Sequence, residues 1–450
     1  MEVLALDVRL DTSPDPVGVL VRDQRGGLAF AYSESYVSQP GAITLSLSLP
    51  LTPEPFEEAV TRPFFDNLLQ ERDGALSDIM AREGIARDDI ASLLFHLGKD
   101  CAGAISVLPS GSPPTKVPGD YQKDYQRIDD DRLIAIVDSL HKRRRLPPGT
   151  DDPSPLAGMQ SKIALTLLPD GSLAEPIPGT GAPTTHILKV PDQDHIHDGT
   201  LEHEVMRLSQ EVGFSTADVS LLPIAGVNVL LVTRFDRARD RDGRIVRIHQ
   251  EDFAQALGLP SALKYERRGV PGRRFDVDAV RRILDATVDP AVERELFIQA
   301  TLFDLFVGNV DAHAKNFALL HEPGVRIRTS PRYDILPTRL NDTLTDELAY
   351  RIGDATTLDE ISGEDFDLFL QTVGISSAAA RQRLSKRYAT EIAAKLAGHL
   401  DRLGRGGQKP LADLIASNMR TLLGALDIEV PGPAKDRDAY IGRAGGWLLS

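Results

Sequence analysis

The chain has 450 residues, of which 42% are apolar and 26% are charged. This composition is ordinary for a globular protein, and it excludes a disulfide-stabilised miniprotein, a collagen-like or coiled-coil protein and a wholly disordered chain. The net charge of −15 opposes direct binding to nucleic acid, so a DNA partner would have to be reached through a basic intermediary. Because the chain has a single cysteine, Cys101, no signal-like start and no apolar run of membrane length, we expect a soluble cytoplasmic protein.

The N-terminal part of the sequence predicts a mixed α/β module. Alternating apolar residues at Val17–Val21 and Leu28–Tyr32 flank a turn, which indicates a hairpin. One helix is predicted to begin with Pro63 in its first turn, and a second, short helix is predicted to have Ser77 as its N-cap. A Pro- and Ser-rich stretch at residues 109–118 then marks a domain boundary.

The middle of the chain predicts a small β-rich lobe, and the remainder predicts a larger helical lobe. The small lobe has two predicted helices, at residues 129–142 and 201–212. Its strands are predicted at residues 163–168, 185–190 and 227–235. Residues 251–426 have a mostly helical rhythm, which is clearest at residues 292–307 and is interrupted by a hairpin at residues 317–328.

The most informative stretch is Gly308–Asn316, with the sequence GNVDAHAKN, directly after the apolar helix. Asp311 and Asn316 have the D-x-x-x-x-N spacing of the protein-kinase catalytic loop, in which the aspartate accepts the hydroxyl proton and the asparagine binds Mg²⁺. Asp334, beyond the predicted hairpin, lies where the second metal-binding carboxylate of a kinase would be.

His313 and Lys315 lie in the same loop, and we group them with Asp311 as catalytic residues. We expect His313 to support the aspartate by hydrogen bonding rather than to bind a metal. The alternative for the whole loop is a helix C-terminus with polar caps, because D-x-x-x-x-N also occurs by chance. The order of elements favours the kinase interpretation, since a lysine-bearing strand, a glutamate-bearing helix and an apolar hinge strand precede the loop.

Lys189 is the candidate lysine for ATP phosphates. It shares a strand face with Ile187, so its ammonium can point into a cleft, although a solvated strand lysine is the commoner case. Glu202, predicted in the first turn of the next helix, could pair with Lys189 as the kinase glutamate does, and Glu204 is a rival for that role. Simple complementation of the helix dipole would also explain Glu202.

Two further stretches could bind ligands. Gly158–Lys162, with the sequence GMQSK, precedes a small-lobe strand where a phosphate-covering loop would lie, but it has one glycine and no standard phosphate-binding motif. A histidine- and aspartate-rich loop could suggest a metal site, but its spacing follows no known rule and a solvated acidic loop explains it. Its residues are Asp192, Asp194, His195, His197, Asp198 and His203.

These elements predict an α+β, protein-kinase-like two-lobed fold. It would have an N-terminal α/β module, a small β-rich lobe and a larger all-α C-terminal lobe. The predicted domains are residues 1–115, 116–235 and 236–430, followed by a loose tail at residues 431–450.

The sequence also carries a specific resemblance to a known family. GNVDAHAKNF at Gly308–Phe317 and RYD at Arg332–Asp334 resemble the HipA family of toxin kinases. Further stretches resemble the same family: AGMQSKIAL (Ala157–Leu165), PTTHILKV (Pro183–Val190), RFDR (Arg234–Arg237), HQEDFAQALGLPSALKYE (His249–Glu266), FFDNLL (Phe64–Leu69) and LGKDCAGAISV (Leu97–Val107). The resemblance covers nearly the whole chain, up to about Val430.

This resemblance implies a serine/threonine protein kinase that uses ATP and Mg²⁺ and is the toxin of a type II toxin–antitoxin pair. The implied antitoxin is a small HipB-like helix-turn-helix protein, through which the kinase would reach operator DNA only indirectly. The implied substrate is an aminoacyl-tRNA synthetase, such as glutamyl-tRNA synthetase, whose phosphorylation would inhibit translation and growth.

The resemblance also implies roles for single residues. Asp311 matches the catalytic base, Asn316 and Asp334 match the Mg²⁺ ligands, and Lys189, with Glu202 as its partner, matches the ATP-phosphate lysine. The implied phosphate loop includes Gly158, Gln160, Ser161 and Lys162. The implied adenine hinge is Thr233, Arg234 and Phe235.

One position departs from the family pattern. The family commonly autophosphorylates a serine three positions before the loop glycine, and this chain has Pro155 there. Ser154, one residue earlier, could serve in a shifted register, Ser161 could serve instead, or the control could be absent.

Two other functions remain open at this point. A small-molecule phosphotransferase of the aminoglycoside type would use the same set of Asp, Asn and second Asp. A pseudokinase would act only by bridging an antitoxin on DNA, and the net charge of −15 suits a basic partner. The intact set of Lys189, Asp311, Asn316 and Asp334 opposes a degenerate kinase.

Overall fold

The computed structural model describes residues 2–69, 73–147, 150, 161–322 and 326–429. Two compact units share these residues. The first takes its residues from Met1–Arg207, Ser215–Glu293 and Ala312–Leu336, and the second from Leu208–Phe214, Arg294–Asp311 and Pro337–Ser450. No helix in the described part of the chain combines the length and the apolar character needed to cross a membrane.

The N-terminal module is a four-stranded antiparallel sheet with helices packed against it. Its strands are β1 (Leu4–Leu10), β2 (Gly18–Arg22), β3 (Leu28–Tyr32) and β4 (Ile105–Pro109), in the spatial order β3–β2–β1–β4. Its helices are α1 (Glu34–Val37), α2 (Glu58–Asp66), α3 (Asp73–Glu83) and α4 (Ile90–Leu97). Strands β2 and β3 pair antiparallel, which confirms the predicted hairpin, and Phe30, Phe64 and Phe65 are fully buried in the core.

Two predicted helix starts in this module are wrong. Helix α2 begins at Glu58, so Pro63 lies inside it rather than in its first turn. Thr61, Phe64 and Phe65 are all buried, and their packing outweighs the hydrogen bond that a proline inside a helix removes. Helix α3 begins at Asp73, so Ser77 is not an N-cap, because burial of Leu76 extends the helix by a further turn.

The small lobe is built on a six-stranded antiparallel sheet. Its strands are β5 (Tyr125–Arg127), β6 (Ser161–Leu167), β7 (Leu173–Pro176), β8 (His186–Val190), β9 (Val219–Ile224) and β10 (Val227–Thr233), in the spatial order β5–β7–β6–β8–β10–β9. The accompanying helices are α5 (Asp130–Arg143) and α6 (Asp198–Val212). Leu188 and Val190 of β8 share a core with Ile136 and Val137 of α5, so Lys189 lies on the other face of the sheet.

The remaining residues are helical with three small sheets between the helices. The strands are β11 (Arg237–Arg239), β12 (Ile245–Arg247), β13 (His249–Asp252), β14 (Ala318–Glu322), β15 (Arg326–Thr329), β16 (Glu347–Ile352) and β17 (Ala355–Thr357). The helices are α7 (Phe253–Ala256), α8 (Val277–Asp285), α9 (Pro290–Val307), α10 (Gly363–Val373), α11 (Ala378–Arg405) and α12 (Lys409–Ala425). Strands β14 and β15 form the predicted hairpin, and β13 extends it.

Buried charges join the N-terminal module to the segment that follows the small lobe. The guanidinium of Arg247, which is fully buried, donates to Asp11 at 2.7 Å and to Asp100 at 3.0 Å. The backbone N–H of Gly103 donates to the buried carboxylate of Asp236 at 3.0 Å. Because a buried charge is costly when it loses its partner, these contacts fix the two parts of the first unit to each other.

A buried histidine makes the stability of this junction depend on pH. The Nε2–H of His249 donates to the carbonyl oxygen of Leu45 at 2.8 Å, and the His249 ring centroid lies 4.8 Å from that of His321. Burial, followed by the neighbouring His321, lowers the pKa of His249 to about 3. The unfolded chain binds this proton below about pH 6.5, so the contribution to stability is complete above that pH and is lost as the pH falls towards 3.

We therefore expect His249 to contribute about 2 kcal/mol to the loss of stability between pH 7 and about pH 5. His249→Gln retains a hydrogen-bond donor but cannot be protonated, so its free energy of unfolding should fall less over the same interval. Urea denaturation at both pH values measures the difference. An identical pH dependence in the variant and the wild type would contradict the prediction.

Candidate active site

Lys189 lies between two carboxylates on the face of β8 opposite the α5 core. Its Nζ donates to Glu202 Oε1 at 2.6 Å and to Asp334 Oδ1 at 2.5 Å. The predicted pairing with Glu202 is therefore present, whereas Glu204 contacts His203 at 3.7 Å. Helix α6 begins at Asp198, earlier than predicted, so Glu202 lies in its second turn and not its first.

The pKa values of Lys189, Glu202 and Asp334 are shifted in different ways by their contacts and burial. Burial alone would lower the pKa of Lys189, but the charges of Asp334 and Glu202 outweigh it and raise that pKa. Burial would raise the pKa of Asp334, but the charge of Lys189 and its hydrogen bond, followed by Lys162 and His313, lower it to about 2. Glu202 has a raised pKa, because burial of a side chain that is 1% exposed outweighs the attraction of Lys189. Asp334, whose side chain is 40% exposed, is thus ionised at physiological pH.

A second lysine lies directly opposite Lys189. Strands β6 and β8 pair antiparallel with Lys162 facing Lys189 and with the buried Ser161 facing Val190. Like charges directly opposite each other destabilise a strand pair unless an anion or a carboxylate compensates them. The two lysines and the ionised Asp334 therefore form a surface suited to a phosphate chain that is accompanied by a cation. Gly158, Gln160 and Ser154 lie outside the described residues.

Asp334 has an unusual backbone conformation. Its φ of +57° is in the left-handed region, which is costly for residues with a side chain but is tolerated best by asparagine and aspartate. The preceding backbone is fixed, because the N–H of Arg332 donates to the carbonyl of Ser215 and the N–H of Ala217 donates to the carbonyl of Arg332, both at 2.9 Å. A strained backbone that is held in this way is typical of functional sites.

The segment that leads into Asp311 belongs to the second unit and is held rigidly within it. Gly308 has a φ of +78°, and a Cβ at this position would lie 2.8 Å from Leu414 Cδ2, so the turn requires glycine. The N–H of Val310 donates to Thr338 Oγ1 at 3.1 Å. Asp311 itself is half-buried. A rigid base for a half-buried carboxylate is what a catalytic aspartate requires.

The segment after Asp311 belongs to the first unit, and Lys315 anchors it there. Lys315 Nζ donates to Asn67 Oδ1 at 2.9 Å and pairs with Asp252 Oδ2 at 2.6 Å. The Lys315 carbonyl accepts a hydrogen bond from the Tyr333 hydroxyl at 2.8 Å. Lys315, which we grouped with the catalytic residues, thus has its ammonium bound between the N-terminal module and the end of β13, where it acts on the position of the loop.

The other two loop residues lie close to each other. The N–H of Asn316, which is half-buried, donates to the carbonyl of His313 at 2.8 Å. The buried His313 ring meets the Tyr265 ring edge-on, with 5.1 Å between their centroids. These contacts order the backbone that leads into the predicted metal-binding asparagine.

The predicted adenine hinge is well ordered. The N–H of Thr233 donates to the Asp218 carbonyl at 2.8 Å. The Arg234 guanidinium is buried and makes two hydrogen bonds with Asp236, at 2.9 and 2.8 Å. Phe235 packs on Tyr333, with 5.2 Å between ring centroids. The N–H of Arg234 also donates, to the Thr185 carbonyl at 3.0 Å, and its side chain is committed to Asp236, so the Phe235 ring is the hinge group that offers a contact for a nucleotide base.

Sequence reasoning gave no role to several of these residues. Tyr333 links the hinge residue Phe235 to the carbonyl of Lys315, and only its place within the RYD stretch could have marked it. Asn67 and Asp252 bind Lys315, and each lies within a stretch that resembles the family, but nothing local connects them to the loop.

The donor chemistry fits Mg²⁺ better than a transition metal. Among the described residues, no group of three His, Cys, Asp or Glu side chains could hold a metal ion, and His195 in the histidine-rich loop pairs with Asp192 at 2.9 Å. The ionised, partly exposed carboxylate of Asp334 and the amide of Asn316 offer the oxygen ligands that Mg²⁺ prefers when phosphates and water supply the rest.

The chain is similar to known proteins along most of its length. Residues 6–108 match the HipA N-terminal domain family, and residues 154–402 match the HipA-like C-terminal domain family. "Putative kinase Y4mE" of Sinorhizobium fredii is 37% identical over 372 residues, which cover 82% of this chain and 86% of that protein. The serine/threonine-protein kinase toxin HipA of Shewanella oneidensis is 29% identical over 352 residues, which cover 75% of this chain and 76% of that protein.

A solved structure has the same fold. It is the Shewanella oneidensis toxin–antitoxin complex of HipA, HipB and operator DNA, which matches with a TM-score of 0.75 at 23% identity and covers 94% of this chain and 98% of that chain. This match confirms the predicted α+β fold, with its N-terminal sheet module, β-rich region and helical C-terminal part.

Proposed function

Because the chain belongs to the HipA family, whose relatives include kinases, we propose that it is an ATP-dependent serine/threonine protein kinase. The observation that carries this proposal is the placement of Lys189 between Glu202 and the ionised Asp334, directly opposite Lys162. Two lysines on one sheet face, with a carboxylate beside them that could bind a metal, suit a nucleoside triphosphate with Mg²⁺.

In the proposed reaction, the γ-phosphoryl group passes from ATP to a serine or threonine hydroxyl. The new bond joins the hydroxyl oxygen to the γ-phosphorus, the bond to the bridging β-γ oxygen breaks, and ADP leaves. Asp311 orients the hydroxyl and accepts its proton, while Lys189 and Lys162 bind phosphate oxygens. Asn316 and Asp334 would hold Mg²⁺, which neutralises charge on the phosphates when it is bound. Thr233 and Phe235 bind the adenine, and His313 and Lys315 position the loop.

We further propose that the kinase is the toxin of a HipA/HipB-like pair. The Shewanella relative is named as a toxin, and its structure was solved together with HipB and operator DNA. The net charge of −15 suits a basic helix-turn-helix antitoxin, which would make the contact with DNA. The proposed substrate is an aminoacyl-tRNA synthetase, of which glutamyl-tRNA synthetase is the first candidate.

Intact-mass measurement after incubation with Mg-ATP tests the proposal. The protein is incubated alone and with a panel of purified aminoacyl-tRNA synthetases. A gain of one phosphate on a synthetase would support both the activity and the substrate, and a gain on the protein itself would be mapped to Ser154 or Ser161. Binding of Mg-ATP without transfer to any protein would favour a small-molecule phosphotransferase, and no binding would favour the scaffold.

Asp334→Asn should weaken the metal-dependent part of nucleotide binding. Loss of an outer-shell partner already costs about 10–100-fold in metal affinity, so removal of the proposed ligand charge should cost at least as much. Asparagine tolerates the left-handed backbone at this position, so the variant should fold. Calorimetric titration with ATP, with and without Mg²⁺, measures the effect. Unchanged Mg²⁺ dependence would show that Asp334 is not a metal ligand.

A further inference from the structure

A cavity of about 800 Å³ lies within the first unit, away from the Lys189 cluster. Its walls come from two regions that are far apart in sequence, namely the end of α2 with the segment before α4, and the segment between α7 and α8. Four of its lining residues are cationic: Arg62, Arg87, Lys264 and Arg268. Two are acidic, Asp66 and Asp88, and Asp66 is already paired with Arg87 at 3.0 Å.

The cavity is connected directly to the loop that follows Asp311. The N–H of Ala314 donates to the carbonyl oxygen of the cavity residue Lys264 at 3.0 Å. The ring of Tyr265, another lining residue, contacts the His313 ring edge-on. Asn67, which also lines the cavity, accepts the hydrogen bond from Lys315 Nζ. A molecule bound in this cavity would therefore contact residues that hold the proposed catalytic loop.

Positive charge is concentrated at the rim of this cavity. The guanidinium of Arg267 lies 4.1 Å from the centroid of the Tyr265 ring, and that of Arg268 lies 5.3 Å from it. Both arginine side chains are exposed, and the ammonium of Lys264 lies 5.7 Å from the same centroid. Glu266 is the acidic residue within this stretch and is buried, so the three cations around one aromatic ring leave a local excess of positive charge in a chain whose net charge is −15.

We propose that this cavity and its rim, residues 264–268 together with Arg62 and Arg87, form a docking site for an acidic stretch of the protein substrate. The proposal rests on the proposed function, because it concerns the substrate of that kinase. Carboxylates of the substrate would pair with the exposed guanidinium groups of Arg267 and Arg268, and bidentate pairing with arginine would fix the peptide direction. The site would bring the hydroxyl to be phosphorylated close to the segment that follows Asp311 in the first unit, which begins at Ala312.

A polypeptide fits this site better than a nucleic acid does. Binding of nucleic acid relies on many phosphate contacts along an extended basic surface, whereas the cations here line a single concave site. Asp66 and Asp88 in the lining can accept hydrogen bonds from the amide groups of a peptide, which a sugar–phosphate backbone does not offer. The excess of positive charge is small, and it matches a segment with a few carboxylates.

Fluorescence anisotropy with two labelled peptides tests the docking site on the full chain. One peptide is short, rich in glutamate and contains a serine, and the other has glutamine in place of every glutamate. We expect the wild type to bind the acidic peptide at least about tenfold more tightly at low salt, with the difference decreasing as salt is added. The double variant Arg267→Glu with Arg268→Glu should lose this preference.

A matched double variant on α11, Arg383→Glu with Lys386→Glu, makes the same change in net charge at exposed positions and should keep the preference. Equal binding of the two peptides by the wild type, or an unchanged preference in the Arg267→Glu/Arg268→Glu variant, would overturn the proposal. The proposal would also be overturned if the wild type bound a single-stranded RNA more tightly than the acidic peptide and the Arg267→Glu/Arg268→Glu variant lost that binding. The surface would then be a nucleic-acid site. Binding needs no phosphoryl transfer, so an acidic peptide that binds but is never phosphorylated would count against the kinase and not against the docking site.

Discussion

Asp311→Asn is expected to reduce phosphoryl transfer by about 10²–10⁴-fold, which is the contribution typical of a general base. ATP binding should survive, because the proposed phosphate and metal contacts come from Lys162, Lys189, Asn316 and Asp334. The rigid turn at Gly308 and the hydrogen bond from Val310 do not involve the Asp311 side chain, so the variant should fold.

Transfer of radiolabelled phosphate measures the loss, and calorimetric titration with Mg-ATP measures the binding that remains. Asp401→Asn removes an exposed carboxylate from α11 and serves as the control, with transfer expected at the level of the wild type. Transfer by the Asp311→Asn variant at a level close to that of the wild type would exclude Asp311 as the base.

Lys189→Met is expected to lower both nucleotide affinity and the free energy of unfolding. Glu202, which is 1% exposed, would lose its ion-pair partner, and breaking a buried pair in this way typically costs about 3–5 kcal/mol. The pKa of Glu202 is already raised by burial, so the variant should regain stability as the pH falls and Glu202 binds a proton. Chemical denaturation at neutral and acidic pH measures both effects.

The double variant Lys189→Met with Glu202→Gln separates stability from activity. Glutamine removes the unpaired charge, so the double variant should recover most of the stability that the single variant loses, while nucleotide binding and transfer stay low. If the double variant is as unstable as Lys189→Met alone, the cost lies in lost packing of the lysine stem and not in the buried carboxylate.

The core of the candidate site follows from local sequence patterns. The alternation of β8 fixes the face on which Lys189 lies, and the helical spacing of α6 brings Glu202 to the same side. The sequence predicted that Lys189, Glu202 and Asp334 belong to one site, and in the structure Lys189 contacts both carboxylates. The predicted strands of the small lobe correspond to β6, β8 and β10, and its predicted helices to α5 and α6, because their apolar pattern is strong, whereas β5, β7 and β9 were not predicted.

Other features depend on contacts between distant residues, and local patterns do not encode them. Lys315 binds Asn67, which lies 248 positions away in the chain, so its positioning role is invisible in the loop sequence. The backbone that precedes the positive φ of Asp334 is held by hydrogen bonds of Arg332 with Ser215 and Ala217, more than 100 positions earlier in the chain. Pro63 and Ser77 misled the helix predictions because burial in the core overrode the usual preferences of proline and serine.

The buried charges around Arg247 have a consequence for how such a chain can change over evolutionary time. Composition marks a boundary near residue 115, yet Asp11 and Asp100 on one side of it neutralise Arg247 on the other. An exchange of the N-terminal module between family members would leave this arginine without its acids unless both sides came from the same parent. The module and the lobe that follows it are therefore expected to be inherited together, and a lineage that replaces Asp100 is expected to replace Arg247 as well.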